Sequence, residues 1–227
     1  MHMLKSTIKQ IPLIGRLLSQ IYSTYKIICF PGSKNYWERR YINGGTSGEG
    51  SYKEFAKFKA DIINDFVTEN NIHSVIEFGC GDGNQLFLAE YPSYIGLDIS
   101  RTAVTLCQHK FLNDYSKSFF LYDCDCFIDN HGIFTAELSL SLDVIYHLIE
   151  NEIFEKYMTH LFTASKRFVI IYSSNFEQRI TGHVRHRKFT DWIDKNTTNW
   201  HLKTIIPNRY KNSPSNFYIY ENLPAEI

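Results

Sequence analysis

The sequence predicts an α/β fold with a doubly wound, mostly parallel sheet, and three observations lead to it. An apolar run over 75–78 opens directly into a turn with glycine at three alternate positions, Gly79, Gly81 and Gly83. A second apolar run, from residue 94, ends in Asp98. Apolar runs of strand length then alternate with segments of helical periodicity, which is typical of βαβ units.

Length and composition are those of a single-domain enzyme. A chain of 227 residues is long enough for one α/β domain with a substantial core and too short for two full ones. Because 24 Lys and Arg balance 24 Asp and Glu, the charge gives no reason to expect a nucleic-acid partner. The five cysteines are odd in number and lack paired zinc spacing, so we expect reduced thiols, a cytoplasmic location and no metal site.

Residues 1–34 are predicted to form a basic amphipathic helical extension. Apolar residues recur three and four apart, interrupted by Pro12 and Gly15, and no acid precedes Glu38. Such a helix either rests on an anionic membrane surface or packs on the domain or on a second subunit, and both contacts stay open for residues 1–30. The first would place the protein peripherally at the inner face of the membrane. The sequence shows no run long enough to span a bilayer and no signal-peptide core.

The domain itself is assigned to residues 35–227. An aromatic helix comes first, followed by a glycine-rich loop over 43–51 and a longer helical pattern over 52–70. Trp37 and Tyr41 lie one turn apart on the aromatic helix, where their ring faces can meet a cation. Core packing explains these two rings equally well.

The glycine turn, residues 79–83, predicts a site for an adenosine-containing cofactor. Glycine lets the backbone adopt positive φ and approach a ligand closely, and a helix beginning near Asn84 would direct free N–H groups at it. Asp98, at the end of the second strand, is placed to accept hydrogen bonds from ribose hydroxyls. The NAD fingerprint needs glycine where Asn84 stands, and Glu77 would repel a pyrophosphate. A cofactor with a cationic end and no phosphate, such as S-adenosylmethionine, fits better.

The segment from Glu77 to Gly83, an acid followed by Gly-x-Gly-x-Gly, resembles the first motif of class I S-adenosylmethionine-dependent methyltransferases. The resemblance runs from residue 36 to residue 220. Within it, 77–86, 139–148 and 183–189 look like bacterial methyltransferases associated with surface-glycan assembly. It implies a seven-stranded Rossmann-like sheet with an antiparallel last strand. It also implies S-adenosylmethionine as cofactor and a sugar, phosphorylated sugar or glycan precursor as acceptor.

The resemblance also implies individual cofactor contacts. In the family, the aromatic helix and glycine loop close over the methionine end of the cofactor. An acid after the third strand binds the adenine amino group and the next residue offers its N–H to the ring, which gives Asp123 and Cys124, with Asp125 as the alternative acid. The expected cofactor-binding residues are Trp37, Tyr41, Glu77, Gly79, Cys80, Gly81, Asp98, Ile99, Asp123, Cys124 and Asp143.

The later elements follow from the alternation of apolar runs and helical periodicity. Strands are expected over 119–122, 138–142, 168–172, 202–206 and 217–220, and helices over 101–113 and 153–164. The run over 168–172 is nearly all apolar, as a central parallel strand should be.

Three histidines are candidates for the base that an alcohol acceptor requires near the methyl group. His147 follows the fourth strand and should lie at its carboxyl end, although a capping or solvent-facing histidine fits the same position. Asp143 would contact the methionine moiety or hold His147 in one tautomer. His183 and His186 follow the fifth strand on the same edge and are the other candidates.

Arg185 and Arg187 accompany those two histidines and are predicted to bind an anionic acceptor, because guanidinium groups bind phosphate in bidentate fashion. A solvated charge run is the alternative. At the level of the whole protein, three alternatives remain: an NAD-dependent oxidoreductase, a methyltransferase for a small non-sugar acceptor such as a thiol, and a non-catalytic module that keeps the fold.

Overall fold

The computed structural model describes residues 27–223, so most of the predicted extension over 1–34 lies outside the described residues. The α-helices are α1 (Ser33–Ile42), α2 (Lys53–Glu69), α3 (Arg101–Lys110), α4 (Asn151–Thr163) and α5 (Phe189–Asn196). The strands are β1 (Val75–Phe78), β2 (Tyr94–Asp98), β3 (Lys117–Leu121), β4 (Ala136–Leu142), β5 (Ser165–Ser173), β6 (Gln178–Thr181), β7 (Val184–His186), β8 (Trp200–Ile206) and β9 (Asn216–Asn222). Single 3₁₀ turns span Glu49–Ser51, Gln85–Leu88 and Ile145–His147.

Seven strands form the main sheet in the order β3-β2-β1-β4-β5-β9-β8. The strands from β1 to β5 pair in parallel, whereas β9 runs antiparallel to both of its neighbours. The first strand, β1, lies in the middle of the sheet. β2 and β3 follow on one side of it, and β4, β5, β9 and β8 form the other side. The predicted doubly wound sheet with an antiparallel last strand is confirmed.

Helices cover both faces of this sheet. Side chains from α2 and α3, among them Ile63, Phe66 and Val104, pack on one face, and side chains from α4 and α5, among them Met158 and Ile193, pack on the other. Alternate residues of each strand enter the two cores because side chains of a strand point to opposite faces. Full burial of each such side chain contributes about 1.5–3 kcal/mol to folding. In the described part of the chain, no helix could cross a membrane.

The prediction of a helix directly after the glycine turn is wrong. A single 3₁₀ turn, Gln85–Leu88, follows Asn84, and Ala89 is already extended with φ −88° and ψ 138°. Pro92 comes only three residues later, and both a proline and the residue before it disfavour helical backbone. The chain therefore has no room for a longer helix before β2 begins.

A two-stranded hairpin, β6–β7, adds an element that the sequence pattern did not predict. Thr181 pairs with Val184 across a turn made by Gly182 and His183. The hairpin contacts the 3₁₀ turn Ile145–His147, which follows β4. It therefore lies at the carboxyl edge of the main sheet, where ligands bind in open α/β folds.

Candidate functional site

A cavity lies at the carboxyl ends of β1, β2 and β4, under α1 and the glycine loop (residues 43–51). Most of the sequence-predicted site residues line it, namely Trp37, Tyr41, Glu77, Gly79, Cys80, Gly81, Asp98, Ile99, Cys124, Asp143 and His147. The remaining five, Asp123, His183, Arg185, His186 and Arg187, are not among its lining residues.

The glycine turn requires glycine for two physical reasons. Gly79 and Gly81 have φ values of 89° and 58°, in the left-handed region that side chains disfavour. A Cβ on Gly81 would lie 2.2 Å from Ser47 Oγ, and one on Gly79 would lie 2.5 Å from Val144 Cγ2. The turn is thus packed closely against both the glycine loop and the segment that follows β4.

Asp98 is buried at the end of β2 and is held by backbone donors. The Gly81 N–H donates to Oδ2 at 2.9 Å and the Ser100 N–H donates to Oδ1 at 2.8 Å. Burial nevertheless raises the pKa of Asp98 to about 6. Each carboxylate oxygen keeps a second lone pair, so Asp98 can accept two further hydrogen bonds from a ligand diol.

Glu77 is a buried carboxyl group in the cavity wall. Burial raises the pKa of Glu77 to about 7, even though the Tyr94 hydroxyl, which donates at 2.7 Å, and the Lys59 charge favour the carboxylate. A cationic ligand would stabilise the ionised form. Glu77 therefore suits the cationic end of a cofactor.

Lys59 lines the same cavity and was missed in the sequence, although its position on α2 carries a signal. It lies on the helix face that also holds Ala56, Ile63 and Val67, all buried, and a fully buried lysine is rare unless it is paired. Its Nζ lies 2.7 Å from Asp143 Oδ2. A lysine on the apolar face of a helix thus indicates a buried ion pair, and this signal can be read from the sequence.

Asp143 is hydrogen-bonded to Lys59 and Tyr146, and one of its two expected roles, holding His147 in one tautomer, is wrong. Its Oδ2 binds Lys59 and its Oδ1 accepts a 2.8 Å hydrogen bond from the Tyr146 hydroxyl. The expected hydrogen bond from His147 to Asp143 is not formed, because Nδ1 of His147 lies 2.8 Å from the His183 carbonyl oxygen instead. The expectation that Asp143 lies beside the methionine moiety stays a prediction, since Asp143 lines the cavity.

His147 is oriented by the hairpin instead. Its Nδ1 lies 2.8 Å from the His183 carbonyl oxygen. Because a carbonyl only accepts, Nδ1 must carry the proton, and Nε2 keeps a free lone pair. Burial lowers the pKa of His147 to about 4, so the ring is neutral at physiological pH. The cavity wall thus contains a neutral imidazole that is able to accept a proton.

The other two histidines have different surroundings. The His183 ring stacks on Tyr36 of α1 with centroids 4.5 Å apart. His186 is buried, and its Nδ1 lies 2.6 Å from Ser174 Oγ. The structure brings only His147 of the three into the cavity lining.

Arg185 and Arg187 face protein groups. Arg187 is buried, donating from Nε to the Leu148 carbonyl at 3.0 Å and from Nη2 to the Ile149 carbonyl at 2.9 Å. Both guanidinium groups also bind Asn151 Oδ1. Burial lowers the pKa of Arg187 to about 10, which leaves it charged at neutral pH. In this arrangement the two arginines hold the segment after His147, and the expected anion site stays a prediction.

Asp123 lies at the rim of the cavity, beside Cys124 in its wall. The Asp123 carboxylate forms a 2.6 Å ion pair with Lys34, a lining residue from α1. Asp123, Cys124 and Asp125 place three potential metal ligands within 4.8 Å, but Lys34 and Lys156 already neutralise the two carboxylates. The expected adenine contacts of Asp123 and Cys124 stay predictions.

Helix α1 forms the roof of the cavity and is attached by polar contacts that the sequence did not predict. At its start, Ser33 Oγ donates to Glu150 at 2.6 Å. In its middle, Glu38 accepts hydrogen bonds from the Ser100 hydroxyl at 2.6 Å and the Thr102 hydroxyl at 2.8 Å, at the N-terminus of α3. Ser100 also donates to Asp98, so the roof is connected to the floor of the site.

The lining fits S-adenosylmethionine. Two buried acids, Glu77 and Asp98, face the cavity, and its lysines, Lys34 and Lys59, are each paired with an aspartate. A pyrophosphate would need unpaired donors or cations here, whereas a cofactor with a cationic end needs acids. Gln85 Oε1, a buried atom of a further lining residue, has no hydrogen-bond partner in the described structure.

No model of a known protein family matches the sequence, and no curated protein matches it. Solved structures do match. The N-methyltransferase NodS from Bradyrhizobium japonicum WM9, in complex with S-adenosylhomocysteine, has a TM-score of 0.66 at 12% identity, over 84% of this chain and 98% of that one. Magnesium protoporphyrin IX methyltransferase from Synechocystis PCC 6803, with bound S-adenosylhomocysteine, has a TM-score of 0.59 at 16% identity, over 90% and 99%.

The methyltransferase domain of bacterial CtHen1-C has a TM-score of 0.60 at 17% identity, over 74% of this chain and 98% of that one. Identities this low carry information about the fold and not about the acceptor. The names of the first two proteins give different acceptors, a nitrogen for NodS and magnesium protoporphyrin IX for the Synechocystis enzyme. The chain has the fold of the class I S-adenosylmethionine-dependent methyltransferases.

Proposed function

We propose that the protein is an S-adenosylmethionine-dependent methyltransferase that methylates a hydroxyl group, with His147 as the base. One observation carries the proposal: a neutral imidazole lines the same cavity as Glu77 and Asp98, at the carboxyl edge of the sheet. Cofactor acids and a proton acceptor in one cavity are what methyl transfer to an alcohol requires.

The cofactor, when bound, supplies an electrophilic methyl group. Asp98 would accept hydrogen bonds from its ribose, and Glu77 would stabilise its cationic end. Trp37 and Tyr41, whose ring centroids are 5.9 Å apart in the cavity roof, offer π faces to a sulfonium. With these contacts, much of the rate enhancement comes from holding the acceptor oxygen in line with the methyl carbon.

His147 removes the acceptor proton. Nε2 of His147 would take the hydroxyl proton as the acceptor oxygen receives the methyl group that the bound cofactor would supply, and the cofactor would leave as S-adenosylhomocysteine. The His183 carbonyl, which accepts from Nδ1–H at 2.8 Å, then stabilises the imidazolium. The products are the methyl ether, S-adenosylhomocysteine and a proton that His147 returns to water.

For the acceptor we propose a neutral sugar hydroxyl on a glycan precursor. The sugar rests on the resemblance of the sequence to glycan-associated methyltransferases. The preference for a neutral sugar over a phosphorylated one rests on Nη1 of Arg185 and on Arg187, whose N–H groups face the Leu148 and Ile149 carbonyls and Asn151 Oδ1. A small thiol or other metabolite is the alternative acceptor.

Two measurements test the proposal. In the first, the thermal midpoint of the purified protein is compared with S-adenosylhomocysteine and with NADH, and we expect only S-adenosylhomocysteine to raise it. Stabilisation by NADH alone would indicate an oxidoreductase. In the second, methyl transfer from labelled cofactor is measured with neutral sugars, sugar phosphates, nucleotide sugars and thiols.

The matched variants for the second measurement are His147→Gln and His109→Gln. His109 is exposed on α3 and serves as the control. We expect sugar methylation to be lost in the first variant and kept in the second. Transfer to thiols alone would contradict the sugar assignment, and full activity of His147→Gln would contradict the base assignment.

A further inference from the structure

A groove lies at the opposite edge of the main sheet from the cavity. It forms where Ser165 begins β5, Trp200 begins β8 and Asn222 ends β9, and side chains of α4 and α5 flank it. Because β5 is nine residues long, the two edges of the sheet lie about 26 Å apart along that strand. The groove has a volume of about 520 Å³, in the range of small-ligand sites. We call it the indole groove, after Trp192 and Trp200 in its wall.

The inner wall of the indole groove is aromatic. The Phe162 ring is buried and contacts both indoles, with centroid distances of 6.2 Å to Trp192 and 5.3 Å to Trp200. Trp200 is buried as well, whereas Trp192 is only partly buried and keeps exposed ring surface. An aromatic ring packs well against the C–H groups of a pyranose, because both surfaces are flat and apolar. The groove therefore offers apolar area to a ligand that has an apolar face.

Among the described residues, no ionisable side chain lines the indole groove. Apart from the three aromatic residues, its lining consists of threonine, serine and asparagine. The cavity differs, because its lining contains the carboxyl groups of Glu77 and Asp98 and two lysines. A phosphate, carboxylate or ammonium group that entered the indole groove would lose water without gaining an opposite charge. The lining therefore favours an uncharged ligand.

The polar side chains of the indole groove are oriented by bonds within the protein. The hydroxyls of Thr159, Thr163 and Thr197 each donate to the carbonyl four residues earlier, at 2.9 Å. Because each hydroxyl hydrogen is used, each oxygen is left as an acceptor. Asn196 and Asn199 each use one amide N–H within the protein and keep the second. The groove thus offers both acceptors and donors, fixed in place, to a ligand that can donate and accept.

A sugar combines the three properties that the groove requires. A pyranose ring has an apolar C–H face, hydroxyl groups that both donate and accept, and no charge. We propose that the indole groove binds a neutral oligosaccharide, at a site separate from the cavity that contains His147. The proposal goes beyond the proposed function, because the groove involves neither the cofactor nor the methyl acceptor. Its test therefore needs no methyl transfer.

The test follows the indole N–H signals of the ¹⁵N-labelled protein by NMR. The chain has three tryptophans, two in the indole groove and Trp37 in the cavity, so the signals distinguish the two places. The neutral probes are chitotetraose, cellotetraose, maltotetraose and mannotetraose. The charged probes are fully deacetylated chitotetraose, a cation, and a hyaluronan tetrasaccharide, an anion. We expect at least one neutral probe at millimolar concentration to shift the signals of Trp192 and Trp200, and the charged probes to leave them unchanged.

Matched variants locate the site. Trp192→Ala should weaken binding of the neutral probe about tenfold or more, because an aromatic face is lost. Its control is Tyr115→Ala, which removes a ring that is almost fully exposed elsewhere. Thr163→Val should weaken binding about twofold to tenfold, as loss of one hydrogen bond does. Its control is Thr105→Val, because the exposed Thr105 hydroxyl makes the same bond to the carbonyl four residues earlier, at 3.0 Å. Both controls should bind as the wild type does.

A further variant guards against misfolding. Trp192→Phe keeps an aromatic ring against Phe162 and should bind the neutral probe more tightly than Trp192→Ala does. Circular dichroism and the thermal midpoint establish that each variant is folded. If Trp192→Ala does not fold, Trp192→Phe and Thr163→Val decide the question, and both should bind more weakly than the wild type.

Three outcomes would overturn the proposal. In the first, no neutral probe shifts the signals of Trp192 and Trp200. A probe that shifts only the Trp37 signal belongs to this case, since it would bind in the cavity and support the proposed acceptor alone. In the second, the charged probes shift the two groove signals as strongly as the neutral ones. In the third, the folded groove variants bind the neutral probe as tightly as their controls.

Discussion

Nδ1 of His147 donates to the backbone carbonyl of His183, 36 residues later in the chain, over 2.8 Å. The β6–β7 hairpin thereby determines that Nε2 is the unprotonated nitrogen of the imidazole. It does so through a backbone carbonyl and not through a side chain. A backbone carbonyl stays an acceptor at every pH, so this tautomer does not depend on the titration of a neighbour.

The first prediction concerns catalysis by His147. His147→Gln should lower kcat about 10²- to 10⁴-fold, the range for loss of general base catalysis, and change the Kd of S-adenosylhomocysteine less than threefold. Since burial lowers the pKa of His147 to about 4, the wild-type base stays unprotonated down to that pH. The acid limb of kcat against pH should therefore lie near pH 4, and a limb at 6.5 would indicate an exposed base.

The second prediction is that cofactor affinity rises with pH. Burial raises the pKa of Glu77 to about 7 and that of Asp98 to about 6, and a cationic, hydroxyl-bearing ligand binds the ionised forms. Below pH 7, each protonated carboxyl must lose its proton on binding, so Kd should increase as pH falls from 7.5 to 5. Calorimetry in buffers of different ionisation enthalpy should show proton release. In Glu77→Gln, the plot of Kd against pH should lack the change near pH 7 and keep the change near pH 6.

The third prediction concerns the roof of the cavity. Glu38→Gln replaces a charged acceptor at the N-terminus of α3 with an amide, and two short hydrogen bonds, from Ser100 and Thr102, are weakened. We expect S-adenosylhomocysteine to dissociate about fivefold to thirtyfold faster, as a loss of about 1–2 kcal/mol implies. Trp37 fluorescence in a stopped-flow instrument can report dissociation. Arg39→Gln, an exposed change on the same helix, should leave the rate unchanged.

The fourth prediction separates two interpretations of the arginines. Arg187→Met should lower the free energy of unfolding by about 2–4 kcal/mol, because it leaves the Leu148 and Ile149 carbonyls without this charged donor. Arg185→Met should cost less, since Arg185 is less buried and shares both acceptors with Arg187. Denaturant unfolding measures both. Unchanged stability together with a raised KM for an anionic acceptor would instead support the anion site expected from the sequence.

The sequence predicted the centre of the main sheet well because its buried parallel strands, β1, β4 and β5, need apolar runs. Each of its seven strands overlaps a predicted run, with boundaries that differ by a few residues. The hairpin escaped prediction because Gln178–Thr181 and Val184–His186 are short and largely polar. Their pairing depends on contact with the turn that holds His147, and that contact is not a local property of either segment.

The cofactor site was predictable where it is local in sequence. Glu77 and Asp98 flank the glycine turn and the next strand end, so position alone indicated them. Lys59 and Glu38 reach the site from two other segments, α2 and α1, and only the fold brings them together. For Arg187 the sequence indicated a ligand-binding role, whereas the structure shows contacts with backbone carbonyls. A guanidinium binds a phosphate and a backbone carbonyl through the same N–H groups. The sequence of the segment does not distinguish the two acceptors.

The place of β9 between β5 and β8 has a consequence for synthesis on the ribosome. β8 is translated before the strand with which it pairs, and the apolar edge of β5 stays unpaired until Asn216–Asn222 has emerged. An open apolar strand edge is a site for association between nascent chains. Pairing with β9 therefore closes this edge, and the edge of β5 stays open to association until residue 222 has left the exit tunnel.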